Sequence, residues 1–337
     1  MTAPVDPLPV LLGDVGATKT VLALGVLHQG QLRLCRETLQ RLDSQAYPHV
    51  QHLVAQYLEN LQGQLPQWAC LGVPGPVVEG RCRTTNLPWE LEASTLARSW
   101  QMEGVLLLND VAALAWAFTE KPFPQEKTLR PGKPKANANR LVVAVGTGLG
   151  VAVVAPTPKG PQVLASEAGH CDFSAKTAED WQLRCWLARE MAQVSYESVV
   201  SGEGLVRLFR YFARQEDNKG ENLSSHGSAW VVHNAPADQA CQQAVRTCAR
   251  FLATFLGDLA LVTLPLSGVH LGGSVAAGLA PYLASQEFFA ALAAKAAHQE
   301  MLSQIPVYLV EDPVAPLWGC GRALARAFVT GSLPQSQ

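Results

Sequence analysis

The chain has 337 residues, of which 48% are apolar and 16% charged, with a net charge of −2. That length suits two domains or one large divided one, the composition supplies a sizeable core, and the even charge balance excludes nucleic acid and anionic membrane as partners. The first ten residues lack a signal peptide, and the eight scattered cysteines, with no C-x-x-C, read as reduced thiols of a cytoplasmic protein without a structural zinc.

Val10–Asp14, Val21–Leu27 and Gln31–Arg36 read as three successive strands. Between the first two lies GDVGAT, residues 13–18. It is neither a P-loop nor a dinucleotide fingerprint, because both of those open a helix and Thr20–Leu27 has strand composition. Two readings stay open. In one, Gly13–Thr18 is an ordinary hairpin turn. In the other it is an anion-binding nest: Gly16 takes a positive φ and lets backbone approach a ligand, Thr18 and Thr20 add hydroxyls, and Asp14 holds magnesium through water.

The spacing then predicts a helix over Ser44–Leu61, a buried strand over Trp68–Val73, a turn at PGPV (74–77), a helix over Glu90–Trp100 and a strand over Gly104–Leu108. Asn86, in TNLPW, either orients a ligand hydroxyl or caps a turn. LLLNDVAALAWAF (106–118) delivers Asn109 and Asp110 to the start of a helix over Val111–Phe118. Both residue types are preferred caps, and a carboxylate at such a point is also a candidate general base for phosphoryl transfer. Residues 119–139, polar and Pro-rich, read as a surface loop.

The opening device then recurs. LVVAVGTGLGVAVVA (141–155) is again strand, Gly-rich turn and strand, too short and too rich in Gly and Val to cross a membrane. SEAGH (166–170) and SYESVVSG (195–202) supply Glu167, His170 and Glu197. These three form a fence for sugar hydroxyls, or else a structural histidine and a helix-start carboxylate. Helical spacing covers about 178–193, 201–215 and 236–263, with a loop at 218–235. Val269–Leu271 is a strand running through Gly272-Gly273 into a helix, either a plain βα turn or glycines set against a nucleotide. Ile305–Val310 is the last strand and Ala315–Val329 the last helix.

GDVGAT, GVPGPV, TNLPW, LLNDVAAL, GTGLG, SEAGH, the Glu197 segment before SG, LGGSV, IPVYLV and PLWGCG follow one another in this order nearly end to end. In this set the chain resembles the bacterial-type, ATP-dependent glucokinases of the actin-like kinase superfamily. The resemblance implies an α/β, duplicated actin-like (ribonuclease H-like) fold with two domains and a deep interdomain cleft. The small domain would be 1–109 with a C-terminal helix at about 315–330, the large one 110–314. It implies glucose and ATP as partners, magnesium as cofactor and glucose 6-phosphate as product, and leaves a homodimer open. Asp110 would be the base, and Asn86, Asn109, Asp110, Glu167, His170 and Glu197 would bind the sugar. Gly13, Asp14, Val15, Gly16, Ala17, Thr18, Gly146, Thr147, Gly148, Gly272 and Gly273 would hold the nucleotide.

Two positions depart from the family pattern: Ala17 and Ala168 stand where Gly is frequent, at a cost of about 1 kcal/mol if either backbone needs a positive φ. Alternatives on the same scaffold are a kinase for another hexose or an amino sugar, and a sugar-sensing regulator. The intact Asp110, and a first Gly-rich turn too early for a preceding helix-turn-helix, favour catalysis over sensing.

Overall fold

A computed structural model describes residues 6–61, 65–84, 87–214 and 226–332. The chain divides into two compact units, the first formed by residues up to Pro124 together with those from Asp312 onwards, the second by Gln125–Glu311.

In the first unit, β1 (Leu8–Val15), β2 (Lys19–His28) and β3 (Gln31–Asp43) form an antiparallel meander. Helix α1 (Val50–Glu59) leads to β4 (Trp68–Val73), and a small hairpin of β5 (Arg81–Arg83) and β6 (Glu90–Glu92) leads to α2 (Ala93–Ser99), β7 (Gly104–Asn109) and α3 (Asp110–Trp116). The sheet order is β3-β2-β1-β4-β7, with β4 and β7 parallel to β1. Strand β1 is nearly all apolar because helices cover both faces of the sheet. Its alternate residues serve different cores. Leu11 joins Leu53 and Val54 of α1 and Leu96 of α2. Val10 and Leu12 join Cys70 and, from the C-terminal helix α12 (Ala315–Thr330), Leu317, Cys320 and Leu324.

The second unit begins with β8 (Glu126–Arg130), then β9 (Arg140–Val145), β10 (Leu149–Ala155) and β11 (Gln162–Ser166). Four helices follow: α4 (Ala178–Leu187), α5 (Gly202–Ala213), α6 (Ser228–Asn234) and the long α7 (Gln239–Thr263). Strand β12 (Gly268–Gly272), the short helices α8 (Ser274–Gly278), α9 (Ala280–Leu283), α10 (Gln286–Ala293) and α11 (Gln299–Ser303), and β13 (Val307–Val310) complete it. Its sheet runs β11-β10-β9-β12-β13-β8. Strands β9, β10 and β11 are an antiparallel meander, and β12 and β13 join it in parallel. The first unit's order and sense are therefore repeated, with β8 added antiparallel to β13. The duplication inferred from two Gly-rich turns is a duplication of strand topology.

Four local expectations need correction. The helix expected over Ser44–Leu61 is a short turn at Ser44–Ala46 followed by α1, and the one expected from Glu90 starts only after β6. The supposed loop 119–139 contains β8, which buries only Leu129 among its five residues and so lacks a strand signature. The supposed loop 218–235 contains α6, which buries only Val231. A short edge element needs little apolar surface, and periodicity misses it. The division between units also falls after Pro124 rather than after Asn109. Helix α3 packs on β4 and α12, where Gly319 makes the close approach possible: a Cβ there would stand 1.6 Å from the Ala113 carbonyl oxygen.

Candidate active site

The expected site residues fall into two groups, one in each unit, and Asn86 lies outside the described residues.

In the first unit, the β1–β2 turn is braced from below. Ser44 Oγ donates to Gly16 O (2.8 Å), Thr20 Oγ1 approaches Ser44 Oγ (2.9 Å) and Ser44 N donates to Thr18 O (3.1 Å). Thr20 is thus a buried strut and offers no hydroxyl to a ligand, whereas Thr18 is exposed. Gly16 does not take a positive φ. Glycine is needed for another reason: a Cβ would stand 2.8 Å from Lys19 O, the acceptor of the Gly16 N–H. Ala17 does not take a positive φ either, so the extra methyl meets no backbone penalty. Val15 turns its side chain into the core, and Gly13 is buried against the Cys320 thiol, 3.5 Å from its carbonyl.

Asp14, at the end of β1, is partly buried. Burial, and then the negative charge of Asp110, push its pKa up to about 7. Two carboxylates that repel each other at a strand end are a donor set that a cation would relieve, and a magnesium ion carried mainly by phosphates and water fits there. Among the described residues, no three His, Cys, Asp or Glu side chains form a cage that could hold a metal on protein ligands alone.

Strand β7 hands Asn109 and Asp110 to α3. Asn109 caps the helix, accepting from Val111 N (3.1 Å) and Ala112 N (3.2 Å), while its amide donates to Gly75 O in the PGPV turn (3.2 Å). Asp110 Oδ1 accepts from Val111 N at 2.7 Å, which fixes the carboxylate at the helix start.

In the second unit, Glu167, His170 and Glu197 come together. His170 Nε2 lies 3.8 Å from Glu167 Oε2, and His170 Nδ1 lies 3.9 Å from Glu197 Oε1. These distances exceed hydrogen-bond length, so polar groups are gathered without consuming one another. Glu197 Oε2 is already committed to the N–H of Leu149 (2.7 Å), at the foot of the Gly146–Gly150 turn. Gly148 makes room for that carboxylate, since a Cβ there would stand 2.6 Å from Glu197 Oε2. Ala168 has no positive φ, so it too is unstrained.

The same turn borders an open pocket of about 480 Å³. Gly146 and Thr147 form one side, Ser274 and Val275 of α8 another, Gly227 and Ser228 a third. Glu203, Val206, Arg207 and Arg210 line it from α5, at the three- and four-residue spacing of one helix face. Gly202 N donates to Gly146 O (2.8 Å), which ties the start of α5 to the turn. Gly273 precedes α8 with φ 95°, and a Cβ there would stand 2.3 Å from Val145 O, so only glycine fits. Gly272 remains inside β12, paired with Ala144. The pocket combines backbone N–H groups, hydroxyls and two guanidinium groups, which suits an anionic ligand of nucleotide size. Sequence reading missed the α5 face. The signal was present in SGEGLVRLFR, where Glu203, Arg207 and Arg210 share one side of a helix whose other side, Leu205, Leu208 and Phe209, is core.

Two sheets of the same strand order, each with a Gly-rich hairpin turn, define the actin-like ATPase fold of sugar kinases. The Glucokinase family model matches residues 11–327, and the chain belongs to that family, whose members are ATP-dependent hexose kinases. It is 27% identical over 340 residues to a glucokinase of Nostoc punctiforme, covering 94% of this chain and 99% of the relative. It is 29% identical over 321 residues to one of Yersinia pestis, covering 93% and 95%. Among solved structures, the glucokinase of an Antarctic psychrotroph is similar with a TM-score of 0.79 and 27% identity, over 94% of this chain and 98% of that one. A Balamuthia mandrillaris glucokinase in complex with glucose has the same fold, with a TM-score of 0.79 and 21% identity over 95% and 94% of the two chains.

Proposed function

We propose that this chain transfers the γ-phosphoryl group of ATP to the 6-hydroxyl of glucose, giving glucose 6-phosphate and ADP. The observation that carries this reading is the gathering of Glu167, His170 and Glu197 behind a Gly-rich turn that also borders a nucleotide-sized pocket. A carboxylate and an imidazole offer acceptors and a donor to sugar hydroxyls, and a site built this way rejects analogues that leave those groups unmatched.

In the proposed reaction, Asp110 takes the proton of the 6-hydroxyl as that oxygen attacks the γ-phosphorus, and the bond to the ADP oxygen breaks. Asn109 fixes the base by capping the helix on which it stands. Gly16, Ala17 and Thr18 of the first turn, and Gly146, Thr147, Gly148 and Gly273 of the second unit, hold phosphates through backbone and hydroxyl groups. Asp14 would hold magnesium through water on the protein side, and the ion would supply positive charge to the phosphates.

A coupled assay of purified protein with ATP, magnesium and a panel of hexoses tests the reading. Glucose is expected to give the highest kcat/KM. An N-acetylated or amino hexose as best substrate would replace glucose, and binding without turnover would make the chain a sensor.

A further inference from the structure

Beneath the proposed sugar site lies a polar chain that no part of the reaction above uses. Tyr196 directly precedes Glu197 at the start of the turn 195–200. Its ring is buried, edge-on to Phe173 (centroids 5.8 Å apart) and against Phe255 of α7 (4.5 Å). Its hydroxyl donates to Asp258 Oδ2 at 3.1 Å, and the other oxygen of Asp258 is held by Lys295 Nζ. Gly257 opens the path for that lysine: a Cβ there would stand 2.7 Å from Lys295 Cε and 2.4 Å from Leu292 O. Three elements thus converge on one phenol.

We propose that Tyr196 is a positioning residue for sugar binding, its hydroxyl anchoring the 195–200 turn to Asp258 of α7 so that Glu197 Oε1 stays turned towards His170. Backbone bonds fix this segment along its length: Tyr196 N donates to Cys171 O (3.0 Å) and Glu197 N to Gly169 O (2.9 Å). The turn itself is closed by Ser198 N to Ser195 O (3.1 Å) and by Val199 N and Val200 N to Tyr196 O (3.1 and 2.8 Å), and the link from Tyr196 to Asp258 is the side-chain bond that ties this turn to α7. Phenylalanine would fill the same space without burying a hydroxyl, so packing alone does not call for tyrosine. Burial, followed by the charge of Asp258, holds the phenol above its ordinary range, which keeps it a donor across the working pH.

This role rests on the reading of Glu197 as a sugar ligand, and the test separates the two. Tyr196→Phe, Asp258→Ala, their double variant and Glu197→Gln are compared in the full chain by steady-state kinetics, glucose binding calorimetry and thermal melting. Tyr196→Phe is expected to raise the KM and Kd for glucose about fivefold to tenfold, with the KM for ATP and the kcat at saturating glucose within twofold of the parent. Asp258→Ala should reproduce it, and the double variant should be no worse than either single one. Asp258→Ala keeps the test available if Tyr196→Phe folds poorly. Unchanged glucose affinity in both single variants, beside a large loss in Glu197→Gln, overturns the positioning role. Equal losses for glucose and ATP, with a lowered melting temperature, also overturn it and leave Tyr196 as core. Unchanged glucose affinity in Glu197→Gln withdraws the sugar-site reading and this role with it.

Discussion

The hydroxyl of Ser44 donates to the carbonyl oxygen of Gly16 at 2.8 Å, in a part of the chain where Ser44 is wholly buried. That bond spends the only hydroxyl proton of Ser44, so Thr20 must be the donor in the neighbouring contact. Together they set the plane of a peptide in the first phosphate turn. Ser44→Ala should raise the KM for ATP several-fold, leave that for glucose near its original value, and cost about 1–2 kcal/mol of stability. Chemical denaturation and initial-rate kinetics on the same preparation check both parts. An ATP KM unmoved by the change would reduce Ser44 to a structural strut.

Asp110→Asn keeps shape and the bond to Val111 N but removes the base. Turnover should fall about 100-fold or more while glucose binding survives. Near-normal turnover would leave Asp110 as the first residue of a helix and nothing more.

Glu197 and His170 should separate when each is changed to alanine. His170→Ala should raise the KM for glucose alone. Glu197→Ala also frees the N–H of Leu149 beside the Gly146–Gly148 turn, so the KM for ATP should rise as well. The bond to Leu149 is the reason Glu197 cannot be a purely sugar-selective position. Kinetics with each substrate varied in turn distinguish the two patterns.

Asp14→Asn removes a carboxylate that burial and Asp110 both disfavour as an anion. The variant is expected to melt at a higher temperature than the parent without nucleotide, and to have lost most of its activity with magnesium-ATP. Scanning calorimetry with and without nucleotide tests this pairing of gain and loss. A lower melting temperature would contradict the electrostatic account.

Arg250 grips Asp180 with two bonds, at 3.1 and 2.6 Å, while Asp180 also closes the capping box of α4 with Thr177. Burial alone would raise the Asp180 carboxyl, but the Arg250 bonds and charge, with the N–H groups of Lys176 and Thr177, outweigh it and hold the pKa below its ordinary 3.8. A carboxylate lowered in the folded state contributes fully above its unfolded value, and the contribution is lost as pH falls through the folded one. Arg250→Ala removes the largest of the lowering influences and leaves the buried carboxylate with its backbone bonds alone. It should cost about 2 kcal/mol near neutral pH, and the midpoint of acid unfolding should move to higher pH.

The order of the motifs was legible in the sequence because each is a local device: a strand, a Gly-rich turn, and the next strand or helix. Long apolar strands such as β1 and β9, and the extended helical period of α7, were legible for the same reason. Short edge elements were not. Strand β8 and helix α6 bury one side chain each and carry no readable period. The role of Gly16 was misjudged because sequence shows that glycine is present, not whether a backbone angle or a nearby carbonyl requires it. The bracing by Ser44 depends on contacts distant in sequence, which no local pattern encodes; the charged face of α5 was there to be read as a helix face, but its place beside the Gly146–Gly148 turn was not.

Helix α12 belongs to the first unit, yet it is synthesised after the whole second unit. Until it leaves the ribosome, Val10, Leu12 and Cys70 of the first sheet, and Ala113 of α3, lack the cover that Leu317, Cys320 and Leu324 supply, whereas residues 125–311 already form a continuous segment able to fold on their own timetable. The N-terminal unit is therefore the later of the two to mature, and the apolar surface that awaits α12 is a part of the nascent chain that a holding chaperone would have cause to shield.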